Sequence, residues 1–180
     1  MIFRCLLAII LAAWIHPARS ESPPLPIKPD RPGLWRVMTY FDFTTKWYCP
    51  KRQPHIPICA IELAQACEAR GDLELCKRVW DWARETDAST KGMGDPSGHI
   101  RYRIEKARWI TQADHDRLRE RDRARIRVGD LLVTIRQLSC MTMTSGCPHE
   151  RYASKEAYIL RRIDGSWEVT QWDERFYGYE

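Results

Sequence analysis

Two stretches in the middle of the chain place apolar residues at helical spacing. In the first, the positions i, i+3, i+4 and i+7 would share one helix face, and they are Ala60, Leu63, Ala64 and Cys67. The second stretch carries a similar stripe of Leu73, Cys76, Trp80 and Ala83. Gly71 suits the left-handed position after a helix, and Asp72 can cap the next helix. The pattern predicts a helical hairpin in which Cys67 and Cys76 lie on facing stripes.

Alternation with a period of two predicts strands elsewhere. Ile100, Tyr102 and Ile104 alternate with charged residues over 100–110, which is typical of a half-buried strand. The β-branched and aromatic content of 34–43 also predicts a strand. The charged stretch 112–122 predicts a short helix, supported by acidic and arginine residues three apart.

The stretch 123–136 has the pattern of a hairpin that turns at Gly129-Asp130, with the glycine first, as a type II′ turn prefers. Counting outward from that turn pairs Val128 with Leu131 and Ile126 with Val133 on an apolar face. The opposite face would carry four arginines, namely Arg123, Arg125, Arg127 and Arg136. We predict that this basic face is a partner surface for an acidic protein or another anionic surface. A solvated outer sheet face is the simpler interpretation of the same pattern.

The stretch 157–172 predicts a closing hairpin around Asp164-Gly165, a dipeptide that favours a type I′ turn. On one face the count pairs Arg162 with Trp167, Leu160 with Val169 and Tyr158 with Gln171. On the other it pairs Arg161 with Glu168, Ile159 with Thr170 and Ala157 with Trp172. We expect an ion pair between Arg161 and Glu168, and the Arg162 guanidinium over the Trp167 ring. Both faces are mixed, which indicates cover on both sides or a position facing a groove.

These elements predict an α+β fold in which the helical hairpin packs on a curved, mainly antiparallel sheet. The helix pair ELAQACEARGDLELCKRVWDW (62–82) and the closing hairpin YILRRIDGSWEVTQW (158–172) resemble those of the NTF2-like (SnoaL-like) superfamily of cone-shaped domains. That resemblance implies a curved sheet around a pocket. The superfamily includes isomerases, dehydratases, hydrolases and non-enzymatic adaptors, so the resemblance does not select a function. No position here matches the Asp–His pair of its enzymes.

The first twenty residues have the pattern of a secretory signal. Arg4 precedes an apolar run of 11 residues (5–15), and Ala18-Arg19-Ser20 has the small–x–small pattern of a cleavage site. The run is shorter than the roughly 20 residues that span a membrane. We therefore predict a signal peptide at 1–20, a proline-rich lead-in at 21–33 interpreted as a tether, and one domain at 34–180. The expected location is outside the cell or in a bacterial periplasm, with no transmembrane anchor in the mature chain.

Removal of the signal would leave six of the seven cysteines, an even number that indicates disulfides in an exported chain. Six cysteines allow 15 pairings. The facing stripes favour Cys67–Cys76, which makes Cys49–Cys59 and Cys140–Cys147 the natural remainder. Their spacing lacks the C-x2-C pattern of zinc sites.

Little in the chain indicates catalysis or a cofactor. After signal removal the formal charge is +3, from 27 basic and 24 acidic residues, which does not favour a nucleic-acid partner. Asp114-His115-Asp116 is interpreted as a solvated helix start rather than a metal site. We predict no catalytic, cofactor-binding or metal-ligating residue. The expected function is an exported, disulfide-stabilised interaction or accessory module, and the alternative is a cone-shaped small-ligand or enzymatic pocket.

Overall fold

A computed structural model describes residues 23–39, 55–80, 99–140, 147 and 149–173. The strands are β1 (Arg36–Thr39), β2 (His99–Trp109), β3 (Leu131–Cys140), β4 (Ser154–Ile163) and β5 (Ser166–Asp173). The α-helices are α1 (Pro57–Arg70), α2 (Leu73–Val79), α3 (Gln112–Arg117) and α4 (Glu120–Arg123), and a 3-10 helix spans Glu150–Tyr152. The expected signal peptide lies outside the described residues.

The five strands form one sheet in the order of the sequence, and every neighbouring pair is antiparallel. The sheet is curled. The antiparallel sheet predicted from the strand patterns is therefore confirmed. The predicted strand at 34–43 is present at Arg36–Thr39, and residues 40–43 lie outside the described part of the chain.

Helix α1 is the most deeply buried helix among the described residues. Its predicted apolar stripe is fully buried, and so are Ile58, Ile61 and Ala66. These residues share a core cluster with α2 and with residues of all five strands, including Met38 of β1 and Val169 of β5. A nearly all-round burial of this kind leaves polar residues on α1 no access to water, so each of them needs a partner inside the protein.

The turn between α1 and α2 matches the prediction. Gly71 adopts φ +64°, and the Asp72 side chain accepts a hydrogen bond from the Leu75 amide at 3.1 Å. The second helix ends earlier than its stripe predicted. Trp80 is already extended, is buried, and forms a parallel bridge with Val169 of β5. The helix therefore ends where the Trp80 ring is buried against the sheet. Ala83, the last residue of the predicted stripe, lies outside the described residues.

The predicted hairpin at 123–136 is wrong. Residues before Gly129 form α4 and turns, and β3 pairs with β2 and β4 instead. The reason lies in Ile126 and Asp130. Ile126 is fully buried in a second apolar cluster, on the opposite face of the sheet, with Ile110, Leu118, Leu132, Ala157 and Ile159. The Asp130 carboxylate accepts the Arg127 amide hydrogen at 2.7 Å, which closes a turn in place of a strand ladder.

The closing hairpin has the predicted register near its turn. Leu160 pairs with Val169, Arg161 with Glu168 and Arg162 with Trp167. Asp164 and Gly165 adopt φ +48° and +85°, as a type I′ turn requires. Beyond Leu160 a bulge shifts the register by one residue, so the predicted pairings of Tyr158, Ile159 and Ala157 are wrong.

Both faces of the hairpin are covered, in agreement with one of the two alternatives that its mixed faces indicated. Residues Glu156–Leu160 are buried in succession. Tyr158, Leu160 and Trp167 belong to the main core, and Ile159 belongs to the second cluster. The Trp167 ring stacks on the Trp109 ring with centroids 6.4 Å apart.

The proline-rich lead-in is attached to the sheet over its described part. The Trp109 indole donates to the Pro23 carbonyl at 2.7 Å. The Asp30 amide donates to the Ile104 carbonyl, and the Ile104 amide donates to the Asp30 carboxylate, both at 2.9 Å. Asp30 also holds Arg36 through two hydrogen bonds. The described part of the segment that was interpreted as a tether is therefore hydrogen-bonded to β2 at Pro23 and Asp30.

Two disulfides lie within the described residues. Cys67 bonds to Cys76 and joins α1 to α2, as predicted. Cys140 bonds to Cys147, which agrees with the expected remainder. Cys59 is also disulfide-bonded, and its expected partner Cys49 lies outside the described residues.

Candidate functional site

The structure separates the four arginines that were predicted to share a sheet face. Arg123 lies in α4, Arg125 and Arg127 lie in the turns after it, and Arg136 lies in β3. Arg136 forms an ion pair with Glu105 at 2.8 Å. The predicted basic sheet face therefore does not exist in that form.

A buried polar cluster joins α1 to the inner face of the sheet. Its members come from α1, β2, β3 and β4 and are Glu62, Gln65, Tyr102, Gln137, Glu156 and Tyr158. Strand register explains the convergence, because Tyr102 of β2 pairs directly with Gln137 of β3, and Gln137 pairs with Ser154 of β4. Side chains of paired residues lie on the same sheet face. Glu62 and Gln65 are three residues apart on α1 and so lie on neighbouring positions of the helix surface.

The hydrogen bonds around Gln137 fix which group donates and which accepts in this polar cluster. The Glu156 carboxylate accepts from the Tyr158 hydroxyl at 2.9 Å and from the Gln137 amide nitrogen. Gln137 therefore presents its carbonyl oxygen to Gln65, whose amide nitrogen donates to it at 2.6 Å and to the Tyr158 hydroxyl oxygen at 2.8 Å. The Gln65 carbonyl oxygen is then left as a buried acceptor with no donor among the described residues.

The Glu62 carboxyl group has a perturbed pKa. Burial raises its pKa from 4.5 to about 7, against the opposing effects of the hydrogen bond donated by the Tyr102 hydroxyl and of the charge on Arg36. A buried carboxyl group in this range can hold or release a proton near neutral pH. The arrangement is chemically suited to bind a hydrogen-bond donor, or to exchange a proton with a group that reaches it.

Sequence reasoning missed this polar cluster. One signal for it was available: Tyr102 and Tyr158 occupy inward-facing strand positions, and a buried tyrosine hydroxyl needs a partner. The identity of those partners depends on which strands pair. The predicted hairpin at 123–136 gave β3 a different neighbour from β2, so the pairing of Tyr102 with Gln137 was not predicted.

The second notable feature is the arginine segment, which we define as residues 117–127. Every second residue in it is an exposed arginine, namely Arg117, Arg119, Arg121, Arg123, Arg125 and Arg127. Arg121 lies 3.6 Å from Asp122 and is the one arginine of the six with a carboxylate within 4 Å among the described residues. Arg123 donates to the backbone carbonyls of Leu118 and Asp116.

The arginine segment is anchored firmly to the sheet. Leu118 and Ile126 are buried beneath it, and backbone hydrogen bonds of 2.9 and 2.7 Å join Gly129 and Asp130 to Ile110. Arg161 of β4 holds Asp130 through two hydrogen bonds of 2.9 and 2.7 Å and also donates to the Arg125 carbonyl. Arg161 lies opposite Glu168 in the strand register, as predicted, and it forms an ion pair with Asp130 at 2.7 Å.

Other charged groups have structural roles. Asp114 completes a capping box with Thr111 and pairs with Arg108 at 2.6 Å. Burial opposes ionisation of Asp114, but hydrogen bonds from Thr111 and Arg108 outweigh it and lower its pKa from 3.8 to about 2. The interpretation of Asp114-His115-Asp116 as a helix start agrees with this geometry.

Arg101 and Arg103 lie over the Trp35 ring at 5.4 and 5.2 Å.

No family model, curated protein or solved structure matches the chain. Within the described ranges, no group of three or more histidine, cysteine or acidic side chains is arranged to hold a metal ion. None of the described helices is both long enough and apolar enough to cross a membrane.

Proposed function

We propose that the chain is an exported, disulfide-stabilised interaction module that binds an anionic partner without catalysing a reaction. The observation that carries the proposal is the arginine segment. Its arginines project from a backbone that buried apolar residues and the Asp130–Arg161 ion pair fix to the sheet. Because this backbone is already fixed, binding does not have to order it, and the guanidinium groups can bind carboxylates or phosphates through charge-assisted hydrogen bonds.

The covalent framework supports the exported location. Each of the five cysteines in the described residues is disulfide-bonded, and such bonds persist in oxidising compartments. In this proposal the first twenty residues direct export and are removed near Ser20. The helical hairpin packs on the concave face of the curled sheet, stapled by Cys67–Cys76, and keeps the fold rigid during binding.

Two measurements test this proposal. The full-length chain, expressed with a C-terminal tag in a bacterial host, is expected in the periplasmic fraction with an N-terminus near Glu21 and no free thiols. The purified mature chain is expected to bind immobilised poly-L-glutamate at low salt and to elute as salt screens the charges. A cytoplasmic chain with reduced cysteines, or a mature chain that passes through the column at low salt, would contradict the proposal.

The buried polar cluster supports a second candidate function, a small-ligand pocket of the cone-shaped kind that the resemblance implies. The supporting observation is the buried Gln65 carbonyl oxygen, which lacks a donor among the described residues, one helical turn from Glu62. A small amine or alcohol would supply that donor. Thermal-shift measurements with a panel of small amines and alcohols test this candidate. A compound that stabilises the wild type but not Gln65→Leu supports it, and a panel without any such compound counts against it.

A further inference from the structure

We propose that the anionic partner of the arginine segment is a membrane surface carrying phosphate headgroups. This inference rests on the proposed function and identifies the partner of the same site. The segment and its two flanking residues (116–128) contain six arginines and three acidic residues, a formal charge of +3. This equals the formal charge predicted for the whole mature chain, so the charge imbalance is concentrated in one short stretch.

The acidic residues of this stretch only partly neutralise the arginines. Asp116 accepts a hydrogen bond from Gln112 at 2.7 Å, and Asp122 accepts one from Gln171 at 3.3 Å. The guanidinium groups of four arginines have no hydrogen bond or ion pair with the described residues; they are Arg117, Arg119, Arg125 and Arg127. These groups remain open to an external ligand.

An exposed apolar side chain beside the arginines favours a lipid headgroup layer as the partner. Directly after the segment, the large apolar side chain of Val128 is 50 % exposed, in the turn next to Arg127. An exposed apolar side chain at a turn flanked by arginines suits the boundary between headgroups and acyl chains.

The strength of binding follows from the charge. Each arginine near an anionic leaflet adds about 1 kcal/mol, so a net charge of +3 corresponds to a preference of roughly a hundredfold for anionic over neutral vesicles at moderate ionic strength. Because arginine presents a planar fork of donors, it can engage two phosphate oxygens at once, and replacement by lysine should weaken binding.

Vesicle co-sedimentation of the purified, oxidised mature chain tests the proposal. The probes are phosphatidylcholine vesicles with and without about 30 % phosphatidylglycerol, at low and high salt. The test variant replaces four arginines with glutamine, namely Arg117, Arg119, Arg125 and Arg127. The matched control removes four exposed basic groups elsewhere, namely Lys28, Arg31, Arg78 and Arg162. Thermal unfolding checks that both variants fold.

We expect the wild type and the control to bind anionic vesicles, and the test variant to bind at least about tenfold more weakly. Val128→Ser should weaken binding severalfold at high salt as well, because its contribution is apolar. Equal losses in the test variant and the control would overturn the proposal, since net charge alone would then explain binding. If poly-L-glutamate binds the chain but anionic vesicles do not, the membrane inference fails and the proposed function stands. If neither probe binds, both fail.

Discussion

Replacing Glu62 with glutamine should change the pH dependence of stability in a defined direction. The Glu62 carboxyl group is 6 % exposed, and its pKa is about 7 in the folded protein against an ordinary value of 4.5. A folded state that holds the proton more tightly than the unfolded state loses stability as pH rises through this range. Glu62 therefore destabilises the fold progressively between about pH 4.5 and 7, and glutamine, which resembles the protonated form, does not.

The magnitude follows from the same two values. A rise from 4.5 to about 7 corresponds to about 3 kcal/mol, since one pKa unit is worth about 1.4 kcal/mol. We expect Glu62→Gln to match the wild type near pH 4 and to exceed it by about 2–3 kcal/mol near pH 8. The Tyr102 hydroxyl can still donate to the amide oxygen of glutamine.

The assay is urea unfolding of both proteins over that pH range, with the disulfides kept intact. Taking the difference between the two proteins removes the contributions of all other titrating groups. Glu74→Gln is the control, because Glu74 is an exposed carboxylate on α2 whose ion-pair partner within the described ranges is Lys77 at the surface, and its effect should stay within about 0.5 kcal/mol at every pH. A Glu62→Gln difference that does not change with pH would refute the reasoning.

Three further changes test other parts of the structure. Replacing both Cys67 and Cys76 with serine should lower the unfolding free energy by about 2–3 kcal/mol, because the bond closes a short loop, and equal urea midpoints would contradict this. Asp130→Asn should cost about 3 kcal/mol, because it removes the buried carboxylate charge that pairs with the partly buried Arg161; a loss as small as that of Glu74→Gln would contradict the contribution of this ion pair. Gly165→Ala should cost about 1–2 kcal/mol from backbone strain alone, because φ is +85° and a new Cβ meets no atom within 4 Å. A larger loss by thermal unfolding would indicate a clash.

The sequence by itself predicted the features that depend on near neighbours. The α1–α2 turn, the disulfide that follows from it, the alternation of β2 and the turn at Asp164-Gly165 all involve residues within about ten positions of one another. Helical periodicity, capping by Asp72 and positive φ at glycine act over such distances, so local physical chemistry decided them.

Only the tertiary structure decided which strands pair and which charged groups meet. The alternation of 123–128 suited a strand, yet Ile126 gains more by burial in the second apolar cluster, and β2 takes the place beside β3. The pairing of β2 with β3 places Tyr102 opposite Gln137 and so creates the buried polar cluster. It also places three of the four arginines of the predicted basic sheet face, namely Arg123, Arg125 and Arg127, in the arginine segment. Long-range burial outweighs local propensity in both cases, because a pattern with period two does not specify its partner strand.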